Sequence, residues 1–395
     1  MTHASRTTAR ARVLAGAAAV AAVLVGCAPG PGADARTGTD SAPAPASSSR
    51  TSPGTAPASS SRTSPGTVPT PTPDGTLLVA DFGSDTVTFV DPKRGPLGSV
   101  DVGTAPYGLA VGADGRAWVA TAEGVAVVDT RTRVRLALIP YETDTGPGTT
   151  GEYRGGGMGI ALSPDGRRAY VGVNVPGGNG TLEVVDTASR EVTDTVPVGR
   201  RPFDVDVARD GSEVYATNHD SFDVTVVRAD TLDPRRIEVA PYGTEGGLGS
   251  WLKPHHTVVR PSDGRLLLPF EGERLAVVDP RTGRTEIAPM TANTHQHGAT
   301  VTPDGTLFVV GTGPIDPSED EGPSLAVRAP DGTERVYPLE GPHEDVAVSE
   351  DGRTAYVTGG FTRDGWWDGI TVVDVRSGEA QRLAAGERPL GVAVL

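Results

Sequence analysis

Seven Asp-Gly pairs recur along the chain, at Asp74-Gly75, Asp114-Gly115, Asp165-Gly166, Asp210-Gly211, Asp263-Gly264, Asp304-Gly305 and Asp351-Gly352, and each precedes a short β-type run such as AYVGVN or AYVTGG. The intervals between pairs are 40, 51, 45, 53, 41 and 47 residues, the length of chain that one four-stranded propeller blade uses. The pairs themselves are turn chemistry: aspartate bonds its own backbone and glycine supplies positive φ.

Each turn has a partner. A second aspartate closes a short apolar strand farther along, at Asp91, Asp129, Asp186, Asp230, Asp279, Asp331 and Asp374. Before most turns lies an apolar run entered through Pro or Gly, such as PYGLAV from Pro106, PFDVDV from Pro202 and PHEDVAV from Pro342. A last run, PLGVAVL from Pro389, ends the chain with no turn after it. Residues 76 to 103 offer only three strands, so this terminal run is the missing innermost strand of the first blade, and the two chain ends close one ring without an open edge. The strands are rich in Val, Thr, Tyr and Leu and bounded by Gly, Pro and Asp, and no stretch of the mature chain has a helical period. The fold class is all-β, a seven-bladed β-propeller closed by the C-terminal strand.

The unit PxxxxVAxSPDGxxxYVTN followed by VxVVD is carried here by SPDGRRAYVGVN from Ser163, RDGSEVYATNHD from Arg209 and EDGRTAYVTGG from Glu350. It resembles the YVTN repeat of seven-bladed propellers over roughly residues 74 to 395. Proteins with this unit include surface-layer proteins, YncE-like proteins, lactonase-like enzymes and metal-handling proteins, so the resemblance implies architecture and leaves activity open.

The N-terminus places the protein. Arg6, Arg10 and Arg12 precede an apolar stretch from Val13 to Val25, too short for a stable span and built as a secretory signal. It ends in Leu24-Val25-Gly26-Cys27, which resembles the bacterial lipobox, so residues 1–26 are expected to be a lipoprotein signal peptide and Cys27, the one cysteine, the lipidation site. Residues 27–73 contain PASSSRTSPGT twice, and such a Pro/Ser/Thr composition cannot bury a core. They are expected to be a disordered tether spanning about 40 Å root-mean-square if flexible. The folded domain is then 74–395, held by a lipid anchor on the outer face of a bacterial cell membrane, extracytoplasmic.

The formal net charge is −15, and loss of the three signal-peptide arginines leaves −18. That balance argues against nucleic acid as a ligand and favours cationic partners.

Candidate chemistry lies with six histidines: His219, His255, His256, His295, His297 and His343. In an antiparallel blade the start of the first strand and the end of the second lie on one rim, which places all six there. Seven residues before the turn aspartate stand Tyr107, Met158, Phe203, His256, His297 and Glu344, with Leu390 in the terminal copy. Blades five, six and seven thus carry imidazole or carboxylate where the central channel opens. Neutral imidazoles suit zinc or copper. His256, His295 and His297 are the expected core, completed by His343, Glu344 or His255, with His219 as a further ligand or supporting group. An extended segment lets His295 and His297 face one side but separates His255 from His256. Trp251, Trp366 and Trp367 lie on insertions at the same rim, where they lid a pocket, meet a partner protein, or pack the loops.

Two classes of function follow: a surface-anchored protein capturing a transition metal or a ligand, with a transporter or another surface protein as the expected partner, or a lactonase- or lyase-type enzyme with a rim histidine as base. A cell-surface scaffold without an ion is the third.

Overall fold

The computed structural model describes residues 72, 75–146, 151, 153–239, 253–270, 274–292, 296–313 and 321–395 except 363 and 364. The expected signal peptide, the expected tether with Cys27 apart from Thr72, and both Trp251 and His295 lie outside the described residues; Thr72 Oγ1 donates to Thr130 O at 2.6 Å. Residues Gly66–Leu395 form one compact unit.

The expected turns are present. In the six fully described Asp-Gly pairs the aspartate Oδ1 accepts the amide two residues on, at 3.0 Å for Asp114, Asp210 and Asp304 and 3.1 Å for Asp165 and Asp351, with Asp263 at 3.2 Å. The following glycines have φ between 68° and 92°, a region in which a Cβ is strained. Six of the second aspartates act alike, as where Asp129 Oδ1 accepts the amides of Arg131 and Thr132 at 2.9 and 2.8 Å, whereas Asp230 pairs with the Arg228 guanidinium. These local bonds return the chain into the next strand every few residues.

Among the described residues there is no helix, and the strands form seven four-stranded antiparallel sheets with one added hairpin, Phe361–Thr362 with Gly365–Trp366. The first sheet contains Gly95–Asp101, Thr86–Asp91, Leu77–Asp81 and, innermost, the terminal Pro389–Val394. Leu77 pairs with Val394, Leu78 with Ala393 and Val79 with Val392. Both termini therefore share one blade, as the unpaired PLGVAVL run predicts.

Cores lie between blades. Leu78, Val87 and Phe89 of the first pack on Ala117, Val119 and Val128 of the second. Leu77 and Val79 meet Tyr356 and Ile370 of the seventh, which completes the ring. Middle strands such as Leu77–Asp81 are buried throughout, whereas outer strands such as Glu191–Pro197 expose most positions. Burying the sheet faces supplies the main driving force, at about 25 cal/mol per Å² of apolar surface.

Inner strands carry a recurrent irregularity. Register shifts fall between Gly157 and Ile160, Pro202 and Asp204, Gln296 and Ala299, and opposite Leu390 in the terminal strand. A bulge re-aims the side chain within it. The residues in these bulges are Met158, Phe203, His297 and Leu390, the equivalents that surround the channel.

Candidate functional site: an imidazole cluster at the channel mouth

The channel mouth has two unlike halves. Phe82, Ala105, Tyr107, Met158, Phe203 and Leu390 form one buried apolar cluster. The other half is imidazole and carboxylate. Phe203 stands between them, its ring 5.3 Å from that of His255, 5.6 Å from His219, 5.7 Å from His256 and 6.1 Å from His297.

Two carboxylates orient two of these rings. His219 Nδ1 lies 2.9 Å from Asp220 Oδ1, and His297 Nδ1 lies 2.9 Å from Glu344 Oε1. Asp220 also receives Lys253 Nζ at 2.9 Å and Arg201 Nη2 at 2.9 Å. Burial works against its charge, but the hydrogen bond from His219 and the charges of Arg201 and Lys253 hold it well below the ordinary carboxylate range. An ionised carboxylate on Nδ1 selects the tautomer with hydrogen there, leaving a lone pair on Nε2. Burial pushes His219 down to about 3, so its ring is neutral at physiological pH.

His219 Nε2 faces His255 Nε2 at 3.2 Å, and the His255 ring stacks on His297 with centroids 4.0 Å apart. The three imidazoles come from blades four, five and six. All are buried, with exposures of 4%, 2% and 1% for His219, His255 and His297, so their ring nitrogens have little access to bulk water.

The structure redistributes the roles suggested by spacing. His255 joins the cluster, whereas His256 turns down the channel, its Nδ1 3.8 Å from Asp204 Oδ2. The inner strand of blade five is only Val258–Val259, so the segment around His255 does not follow strand alternation. His219 is a central member. His343 is not: its Nδ1 meets Gly341 O at 2.9 Å and its Nε2 meets Thr371 Oγ1 at 2.7 Å, and burial lowers it to about 4. Glu344 reaches the cluster through His297. His295 adjoins Gln296 in sequence but lies outside the described residues, among which no three His, Cys, Asp or Glu close to direct metal-ligand geometry.

Trp367 packs its loop: Nε1 donates to Pro342 O at 3.2 Å, and the Arg382 guanidinium lies 4.5 Å from its ring. Trp366 remains 49% exposed beside Arg388. Spacing gave no sign of Arg154, a fully buried guanidinium at the apolar half of the mouth. Its Nε donates to Ala105 O at 2.9 Å and its Nη1 to Gly155 O at 3.0 Å, and burial lowers it to about 10. It lies in an insertion with no repeat equivalent, so aligning blades cannot find it.

Below the mouth is a cavity of about 430 Å³ along the ring axis. Asp204, Asp206, Asp345 and His256 stand on its wall, with Glu344 and Tyr107 toward the mouth among its other polar residues.

No protein-family model matches the sequence, and comparison with curated proteins gives no match. Solved structures do match. Hydrazine synthase of Kuenenia stuttgartiensis is 18% identical with TM-score 0.57, covering 80% of this chain and 98% of its own. A functionally unknown protein from Desulfotomaculum acetoxidans is 12% identical with TM-score 0.60, covering 81% and 98%. Streptogramin B lyase is 13% identical with TM-score 0.55, covering 73% and 91%. At these identities the likeness is one of fold, and the chain is a seven-bladed β-propeller whose structural neighbours include enzymes.

Proposed function

We propose that the protein is an extracytoplasmic binding protein, lipid-anchored through Cys27, that captures a transition-metal ion, zinc or copper, at the imidazole cluster of its channel mouth. The resemblance to YVTN-repeat propellers, some of which handle metals, is compatible with this reading. The observation that carries it is the approach of His219 Nε2 and His255 Nε2 to 3.2 Å. Two nitrogens bound to one tetrahedral metal at 2.0–2.1 Å are separated by about 3.3 Å, so this pair already has the span of one coordination edge. In the metal-free state the contact is a hydrogen bond, and metal binding would displace its proton. Asp220 and Glu344 supply the carboxylate on Nδ1 that metal-bound histidines usually have. His297 would become the third donor once its ring turns off the stack with His255, with His295 beside it in sequence as a fourth.

The test is calorimetry of chelator-stripped protein with Zn²⁺ and Cu²⁺. One saturable site is expected, weakened at least a hundredfold by His219→Ala or His297→Ala, with nitrogen-dominated ligation by X-ray absorption. Absence of saturable binding, or binding indifferent to both substitutions, removes the metal reading. Anchoring is tested apart from it: Cys27→Ser should release the protein from the membrane fraction or stop its maturation.

One observation favours a second reading. A neutral imidazole held by a carboxylate is also a general base, and His219 with Asp220 has that form. A lyase- or lactonase-type activity would then survive rigorous metal removal and fall with His219→Ala.

A further inference from the structure

Six residues before the turn aspartate, where inner strands run side by side, the blades carry Gly108, Gly159, Asp204, Thr257, Gly298 and Asp345, with Gly391 in the terminal copy. The glycines are sterically required. A Cβ on Gly108 would lie 2.6 Å from Met158 O, on Gly159 2.5 Å from the Asp204 Cα, on Gly298 2.5 Å from the Asp345 Cα, and on Gly391 2.6 Å from Tyr107 O. Three positions break this pattern, Thr257 and the two aspartates Asp204 and Asp345, and the aspartates bring charge to the wall.

Part of their role is structural. Asp204 Oδ2 accepts the Thr257 amide at 2.8 Å, and Asp345 Oδ2 accepts the Val392 amide at 3.3 Å, each fastening the next inner strand. That account does not extend to Asp206, two residues along and facing the same cavity. Among the described residues Asp206 Oδ2 is closed off from solvent and has no hydrogen-bond partner, and the same holds for His256 Nε2. Burial, and then the neighbouring Asp204, raise Asp206 well above the ordinary carboxylate range. Two carboxylates confined to one cavity need a proton or a counter-ion. The other titratable groups on the wall are Tyr107, His256, Glu344 and Asp345, none of them a fixed cation. The wall otherwise is largely Gly, Ala and aliphatic side chains.

We propose that the central channel holds one hydrated divalent cation of the Mg²⁺, Ca²⁺ and Mn²⁺ class, bound between Asp204 and Asp206, with Asp345 and His256 reaching it through water. Carboxylate oxygens select hard cations, and such ions are commonly held by one or two carboxylates while keeping several waters. The described side chains offer no three converging direct ligands, so an ion held by the two carboxylates would keep most of its coordination as water. The cavity of about 430 Å³ has room for that shell. This site is separate from the imidazole cluster in position and in ligand chemistry, and it stands whether or not the cluster binds zinc or copper.

The test is titration of chelator-stripped full-length protein with Mn²⁺, read by the electron paramagnetic resonance of the free ion, followed by competition with Ca²⁺ and Mg²⁺. It is done in the His219→Ala background so that the imidazole cluster does not contribute. One saturable site is expected, weakened at least tenfold by Asp206→Asn and by Asp204→Asn. Asp206→Asn removes a buried charge and should melt no lower than its parent; should it fail to fold, Asp206→Ser serves in its place. No saturable Mn²⁺ binding, or equal affinity in the Asp206 variant, overturns the proposal and leaves a cavity filled by water and a shared proton.

Discussion

The amide of Gly386 donates to Asp81 Oδ1 at 2.9 Å, joining two residues 305 apart in sequence. Asp81 Oδ2 also accepts Thr88 Oγ1 at 2.6 Å and Thr86 Oγ1 at 3.1 Å. There is no room to spare, since a Cβ on Gly386 would lie 2.2 Å from the Asp81 carboxyl carbon. The bond therefore fastens the last turn of the chain to its first described strand.

Asp81 should make stability depend on pH. Burial raises it to about 7 despite its three donors. Between the unfolded value near 4 and this folded value, the native state binds the extra proton. Stability contributed at this site therefore falls as pH rises through that window, by at most about 1.4 kcal/mol per pH unit. Asp81→Asn keeps an acceptor for Gly386 and removes the titration. Relative to wild type, the variant should gain stability from about pH 4.5 to about pH 7 and level off above it in chemical denaturation. A difference independent of pH would contradict the assignment.

Ring closure is tested by deleting residues 389–395. The deletion strips the first blade of its inner strand, unpairs Leu77, Leu78 and Val79, and uncovers the interface with blade seven. It should lower the melting temperature substantially or abolish folding. A truncated chain that melts with the full protein would mean that closure is dispensable.

Gly159 should tolerate no side chain. Its added Cβ would meet the Asp204 Cα and the Val205 nitrogen, both at 2.5 Å, and backbone cannot swing aside. Gly159→Ala should cost about 1–3 kcal/mol, the range of overpacked interiors. Gly322→Ala is the control, because nothing lies within 4 Å of its added Cβ, and it should change stability by less than about 0.5 kcal/mol. Equal effects at the two positions would refute the steric account.

The fold was legible because its determinants are local and repeated. Asp114 with Gly115 and Asp351 with Gly352 announce their hairpins wherever they occur, and the unpaired Pro389 run leaves one place to go. The site was only partly legible. Aligning blades brought His297 and Glu344 together, since both hold equivalent positions, but it favoured His256 over His255 by assuming a strand where the chain is irregular. Nor does the alignment mark Phe203, although its ring centroid lies within 6.1 Å of those of four imidazoles. Asp206 was hidden because PFDVDV has the alternation of a half-exposed strand, and only closure of the ring turns its polar face inward.

His343 separates structure from ligand binding. Both ring nitrogens are engaged, by Gly341 O and Thr371 Oγ1, and burial holds it near 4 against an unfolded value of about 6.5. Below pH 6.5 the unfolded chain takes up a proton that the native ring refuses until about pH 4, so this site's contribution to stability falls as pH drops through that window. The loss accumulates to a few kcal/mol, on the order of 1.4 per pH unit. His343→Asn preserves a donor toward Gly341 and cannot titrate. It should be less stable than wild type at pH 7.5, with the gap narrowing toward pH 4.5, while affinity for Zn²⁺ at pH 7.5 stays within about twofold of wild type, a change of about 0.4 kcal/mol. A hundredfold loss of zinc affinity in this variant would place His343 among the ligands and break the division of roles drawn from its two hydrogen bonds.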